Sequence, residues 1–159
     1  RFPRGNTETY LDLEKETAPE ISFGKGELIN QGKDILILAV GTMVKRAQQV
    51  AEELQKEGLS VGLINARFVK PLDDKLILKM IKKSSCIVTL EENARIGGFG
   101  SAVMELLSAN NLFKPIATFG IPDQFFGHAT PEEQIKAAGL DTKSLFNKIK
   151  VFYLKNNIT

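Results

Sequence analysis

The residues with the most chemical potential in this chain are its first six, Arg1-Phe2-Pro3-Arg4-Gly5-Asn6. The proline ring fixes φ, so the two guanidinium forks are carried on a stiff piece of backbone. Paired forks of this kind suit a phosphate or a carboxylate. No Met precedes the motif, so a longer parent protein is expected, and the chemistry of the motif is expected to belong to that parent. Three further segments could carry chemistry: Gly41-Thr42-Met43, Asn65-Ala66-Arg67-Phe68, and residues 91–100. Each follows a run that reads as a β-strand, and ligands of open α/β sheets sit outside the carboxyl ends of the strands.

The third segment contains Gly97-Gly98-Phe99-Gly100, glycines placed after a strand and before a helix, where backbone amides could face an anion. A dinucleotide fingerprint needs a third spaced glycine, and Ser101-Ala102-Val103 follows instead. The strand is also the third of its unit rather than the first. Close helix–sheet packing is therefore the expected reason for these glycines. Arg67 could bind an anion, but a half-buried arginine generally has a carboxylate partner, and Glu91 or Glu92 is the expected one. Glu91-Glu92 could suggest acid–base work. No nucleophile or metal ligand stands nearby in sequence, so a structural or interdomain role is expected. His128 is the only histidine; no Ser, Cys or Asp around it reads as a triad, and loop packing is expected. Cys86 heads an apolar run and is expected to be buried and inert. Lys79, Lys82 and Lys83 fall near a helix end, where they complement its dipole from solvent. No phosphate loop, zinc spacing, nucleophile elbow or catalytic carboxylate pair occurs in the sequence.

The elements that must position these residues are legible as alternating periods. Residues 6–20 (NTETYLDLEKETAPE) are polar and without period, which reads as the end of a preceding domain and a linker spanning 1–20, with the compact domain at 21–159. Residues 21–30, a Gln31-Gly32-Lys33-Asp34 turn and the apolar run 35–40 (ILILAV) predict a hairpin leading into a central strand. Val44, Ala47, Val50, Ala51 and Leu54 form a helical stripe over 43–57, closed by Gly58. Strands are predicted at 60–66, 86–90 and 116–119. A helix opened by Pro71 and Asp73-Asp74 carries Leu76, Ile77, Met80 and Ile81 on its apolar face. Another follows the glycines with Val103, Met104, Leu106 and Leu107. Thr130-Pro131-Glu132-Glu133 combines a cap, a first-turn proline and a capping-box glutamate. Gly139 closes that helix, and Asp141 starts the last, which runs to about Leu154. Alternation of this kind predicts right-handed βαβ units and a mostly parallel sheet covered on both faces, with one antiparallel strand contributed by the leading hairpin.

Composition sets the outer bounds. A chain of 159 residues, 43% hydrophobic and 25% charged, fits one soluble α/β domain with a proper core. A net charge of +2, spread evenly, argues against nucleic-acid binding. No apolar run approaches the ~20 residues of a membrane helix. One cysteine excludes an internal disulfide and a cysteine metal cluster.

An ordered set of strings carries the reading further: Arg1-Phe2-Pro3-Arg4-Gly5-Asn6, Gly24-Lys25-Gly26-Glu27, Gly41-Thr42-Met43, Asn65-Ala66-Arg67-Phe68-Val69-Lys70-Pro71-Leu72-Asp73, Glu91-Glu92-Asn93, Gly97-Gly98-Phe99-Gly100-Ser101-Ala102-Val103, Gly120-Ile121-Pro122-Asp123 and Ala138-Gly139-Leu140-Asp141. Together they resemble the C-terminal region of the 1-deoxy-D-xylulose-5-phosphate synthase family, across essentially the whole chain. Transketolases and the β-subunits of 2-oxoacid dehydrogenases share this domain type. The longer Arg-Phe-Val-Lys-Pro-Leu-Asp and Glu-Glu-Asn strings favour the synthase over a partner-docking domain of those relatives.

The resemblance implies a three-layer fold with a five-stranded sheet, four strands parallel and one antiparallel. It implies a parent transferase that uses thiamin diphosphate and Mg²⁺ to join pyruvate and D-glyceraldehyde 3-phosphate, giving 1-deoxy-D-xylulose 5-phosphate and CO2 for isoprenoid, thiamin and pyridoxal synthesis. The family's cofactor and metal motif, its activating glutamate and most of its catalytic histidines lie upstream, so no cofactor or metal site is expected in this chain and the chain alone is expected to be inactive. One functional residue carries over: Arg1 leads the family's arginine motif and is expected to grip the acceptor's phosphate, while Arg4 anchors the loop by an ion pair. Phe2 stands where a tyrosine is common. The resemblance further implies a homodimeric parent, in the cytoplasm of a bacterium or in a plastid, whose upstream domains are the partners of this one.

Overall fold

Ile35–Ala39 are apolar without a break, which only a strand buried on both faces can accommodate, and all five side chains are buried. The computed structural model describes residues 20–156. Around that central strand the chain runs β1 (Glu27–Asn30), β2 (Ile35–Ala39), α1 (Met43–Lys56), β3 (Val61–Asn65), α2 (Asp74–Ile81), β4 (Cys86–Ala94), α3 (Phe99–Ala109), β5 (Ile116–Ile121), α4 (Pro131–Ala137) and α5 (Thr142–Asn156). The sheet order is β1-β3-β2-β4-β5, with β1 antiparallel to β3 and the other pairs parallel. The expected five-stranded mixed sheet is present. The linker assigned to residues 6–20 lies outside the described residues except for Glu20.

Alternation along β2 divides the core into two halves. Ile35, Ile37 and Ala39 face α1 and α5 together with Ile135 of α4. Leu36 and Leu38 face the other way, onto Ile77, Met80 and Ile81 of α2 and Phe99, Val103 and Leu107 of α3. Helices thus cover both faces, the three-layer solution for a parallel sheet. Val88 of β4 is fully buried in the α1/α5 half. Val88→Ala is expected to destabilise the domain by about 1–3 kcal/mol, as a core truncation that leaves a small cavity. Urea denaturation tests this, and an unchanged midpoint would contradict the burial.

The local signals behave as the periodicities require. Gly58 stands at φ +88 beyond the end of α1, and its amide returns to the Gln55 carbonyl. Asp73 caps α2 by accepting from the amide of Leu76 at 3.2 Å. Thr130 and Glu133 form a reciprocal capping box with Pro131 in the first turn of α4.

Two expectations are corrected. The segment before β2 is not a hairpin partner of it: β1 pairs with β3, because β3 and β4 occupy both edges of β2. The 31–34 connection therefore crosses the start of β3. Gly32 permits this, since a β-carbon there would collide with the backbone of Val61 and Gly62. Asp34 secures the crossing by accepting from the amide of Ser60 at 2.7 Å. Second, β4 continues four residues past Leu90 to Ala94, regaining β5 at Ala94–Ile121 after an irregularity. In α3 the buried face is formed by Phe99, Val103 and Leu107, while Met104 is exposed.

Candidate functional site

The chain leaves β2 through α1 to β3 on one side, and from β3 passes through α2 to β4 on the other side of β2. The carboxyl ends of β2 and β4 therefore flank the switch point where ligands of open sheets are held. Gly41, at φ +62, turns the chain there, and the Thr42 hydroxyl donates across the crevice to Glu92. Glu91, the preceding residue on the strand, points the opposite way, into the protein.

Glu91 is only 2% exposed. Its two oxygens accept from the backbone amides of Phe99 at 2.8 Å and Gly100 at 2.9 Å, the first two residues of α3. Those amides are the groups a phosphate would have needed. The protein supplies its own carboxylate instead, which closes the anion position at this helix end and complements the helix dipole. The glycines fit the same account. A β-carbon on Gly98 would overlap Glu91 and the Ala94 carbonyl. One on Gly100 would stand 2.7–2.9 Å from the side chains of Thr89 and Thr118. Close packing, as expected, is what these two glycines serve, whereas Gly97 turns the chain at φ +73 in open space.

Arg67 does not meet Glu91 or Glu92. Its guanidinium binds Glu27 at 2.8 Å. The reason is strand order: β2 lies between β3 and β4, placing the ends of those strands roughly 10 Å apart, while β1 is the direct neighbour of β3 and pairs Glu27 with Asn65. Arg67 also holds φ +57, an uncommon conformation for a residue with a side chain, steadied by its amide donating to Asn65 Oδ1 at 3.1 Å.

The loop before β1 and the loop after β3 interlock, a feature that no local signal in the sequence discloses. Asp73 accepts from the Gly26 amide at 3.3 Å and pairs with Lys25 at 3.6 Å while capping α2. Phe23 meets Phe68 edge to face, with ring centroids 5.5 Å apart. Gly24, at φ +70, lies so close to Pro71 that a β-carbon would come within 2.9 Å of its ring. The Gly24-Lys25-Gly26-Glu27 and Arg67-to-Asp73 strings are thus two halves of one clasp at the carboxyl edge.

The remaining candidates hold no joint site. His128 is exposed in the loop before α4, so the expected packing role is not what the structure shows. Lys79, Lys82 and Lys83 are exposed at the end of α2, as expected. Arg1 and Arg4 lie outside the described residues. Among the described residues no group of three or more His, Cys, Asp or Glu is placed to hold a metal ion, and no helix is long and apolar enough to cross a membrane. The amides at the start of α3, taken by Glu91, are not available to a diphosphate.

Cys86 is buried as expected, and burial, reinforced by the negative charge of Asp34, pushes its thiol up to about 11. The proton is held more tightly in the folded state than in the unfolded state, whose value is near 9. Its contribution to stability is therefore complete below pH 9 and is lost as pH rises towards 11. A difference of that size corresponds to about 2–3 kcal/mol. Relative to Cys86→Ala, the unsubstituted chain is expected to lose that much stability between pH 9 and 11, and its thiol to react with a disulfide reagent only on unfolding. Parallel pH profiles for the two chains would contradict this.

The mixed sheet, its order and its helix layers define a domain of the transketolase C-terminal type, and comparison with known proteins places the chain there. Residues 24–145 match the family model described as the C-terminal domain of transketolase, and the chain belongs to that family. A solved split-gene transketolase, in an inactive beta4 tetramer, superposes with a TM-score of 0.80 at 29% identity over 87% of this chain and 45% of its own. A transketolase variant from Pichia stipitis superposes with a TM-score of 0.62 at 15% identity, over 84% of this chain and 18% of its own, and shares the fold. In sequence, the chain is 43% identical over 155 residues to the 1-deoxy-D-xylulose-5-phosphate synthase of Gloeothece citriformis, covering 98% of this chain and 24% of the relative. It is 46% identical over 140 residues to the synthase of the same name from Thermosynechococcus vestitus, covering 88% and 22%. The resemblance to the synthase family read from the motif strings is met across the chain, which spans about a quarter of the length of these relatives.

Proposed function

We propose that this chain is the C-terminal domain of a 1-deoxy-D-xylulose-5-phosphate synthase, with residues 1–20 closing the preceding domain. The parent joins pyruvate to D-glyceraldehyde 3-phosphate, releasing CO2. Identity above 40% along nearly the whole chain to proteins bearing that name carries the reading. Thiamin diphosphate, with Mg²⁺, supplies the carbanion chemistry when bound, and in this reading the upstream domains hold both. Arg1 contributes to the reaction by holding the phosphate of the acceptor aldehyde. The folded domain acts by position: its carboxyl-edge loops are fixed by internal carboxylates and clasps rather than left open for a substrate.

The test is the native gene product. A parent about four times this length that forms 1-deoxy-D-xylulose 5-phosphate from the two substrates, while the 159-residue chain forms none, is the expected result. A product about twice this length that needs a second subunit would replace the reading with a transketolase or 2-oxoacid dehydrogenase β-subunit, whose corresponding domain would serve partner docking.

A further inference from the structure

Five of the nine exposed large apolar side chains among the described residues, Ile21, Phe23, Val69, Ile96 and Phe125, lie in the loops at the carboxyl edge of the sheet. A monomer surface rarely gathers its large exposed side chains at one end without a partner to cover them. Phe23 is 76% exposed yet is not loose: its ring is braced edge to face by Phe68, and the segment that carries it is clasped through Lys25 and Gly26 to Asp73 and through Glu27 to Arg67. A rigid, exposed aromatic braced by Phe68, with Val69 and Lys70 exposed directly after Phe68 in the chain, has the anatomy of a binding hot spot, because little side-chain freedom is lost on docking.

We infer that the Phe23–Phe68–Val69 platform is the anchor by which this domain docks onto the upstream domain of the same polypeptide. The inference rests on the reading above only in taking the parent to carry upstream domains. Two observations select that occupant. The curated relatives are about four times as long as this chain, so a large body of polypeptide accompanies the domain. The chain also reaches the domain through Glu20 and Ser22, which lead directly into Phe23, so the upstream polypeptide joins at this same edge. A contact there needs no long connection to reach its surface.

In the full-length parent, Phe23→Ser combined with Val69→Ser is expected to speed release of the domain by a limiting protease about tenfold or more, since proteolysis follows the population of the undocked form. Phe113→Ser, at an equally exposed aromatic before β5 on the opposite end of the sheet, is expected to leave the rate unchanged. Equal effects of the two changes, or none from the double variant, would overturn the inference. Amide exchange provides a readout independent of any variant: segments 22–26 and 66–71 are expected to be slower in the parent than in the 159-residue chain. No added protection would also overturn it. Protection that grows with concentration in the 159-residue chain alone would assign the face to a second copy, and would overturn it as well. A parent that docks here but forms no 1-deoxy-D-xylulose 5-phosphate would leave the inference standing and remove the functional reading.

Discussion

Glu91→Ala is expected to lower the unfolding free energy of the domain by about 3–5 kcal/mol, more than any core truncation considered above. Two buried amides, those of Phe99 and Gly100, would lose their acceptor. Each unsatisfied donor costs about 1–3 kcal/mol, and the lost helix cap overlaps with that sum rather than adding a separate full value. The position is too enclosed for free replacement by solvent, because Gly98 lies directly against the carboxylate and the side chain is 2% exposed. Glu91→Gln retains one acceptor oxygen but turns an amide donor towards the second backbone amide, so it is expected to recover roughly half of the loss. Urea midpoints at neutral pH for the three proteins decide the matter. An alanine variant as stable as the unsubstituted chain would show that the carboxylate does not hold the start of α3.

Glu91 also shows what a sequence discloses and what it withholds. The glutamate pair, the glycines and the helix stripe were all visible, and close packing of the glycines was inferable from the failed nucleotide spacing. The direction in which each glutamate points was not, because it depends on β4 running on past Leu90 with successive side chains on opposite faces. The same limit explains Arg67. Its need for a carboxylate follows from chemistry, but the choice between Glu27 and the Glu91-Glu92 pair is made by strand order, and no local signal encodes that β2 separates β3 from β4. The four-residue connection at 31–34 suggested a hairpin for an equally local reason, since short loops favour antiparallel neighbours. Only Gly32, pressed against β3, records that the connection crosses a strand instead. Features settled within one helical turn, such as the Thr130 capping box and the Gly58 terminus, were legible outright.

The clasp between the loops before β1 and after β3 belongs to neither class. Its halves lie forty or more residues apart, yet both were present among the strings that carry the family resemblance. Their shared physical content is conformational. Gly24 needs positive φ and space beside Pro71, Asp73 must serve a helix cap and the Gly26 amide together, and Arg67 must accept a left-handed backbone. A family signature of this kind marks a surface held rigid. That is a property suited to the docking role inferred above for this edge.

In the proposed reading, the chemistry of the parent is expected to register this chain chiefly through Arg1. Arg1→Ala in the full-length protein is expected to reduce kcat/KM for D-glyceraldehyde 3-phosphate by about 2–4 kcal/mol, between about thirtyfold and several hundredfold, the scale for truncating a charged contact to a bound phosphate. The KM for pyruvate should stay nearly constant, because pyruvate carries no phosphate to lose. Arg1→Lys keeps the charge but not the planar fork, and is expected to fall between the two. The sharpest control is unphosphorylated glyceraldehyde, towards which the alanine variant and the unsubstituted enzyme should perform alike. If the variant loses as much with that substrate as with the phosphate ester, Arg1 acts other than by gripping the substrate's phosphate, and the phosphate role of the Arg-Phe-Pro-Arg motif is lost.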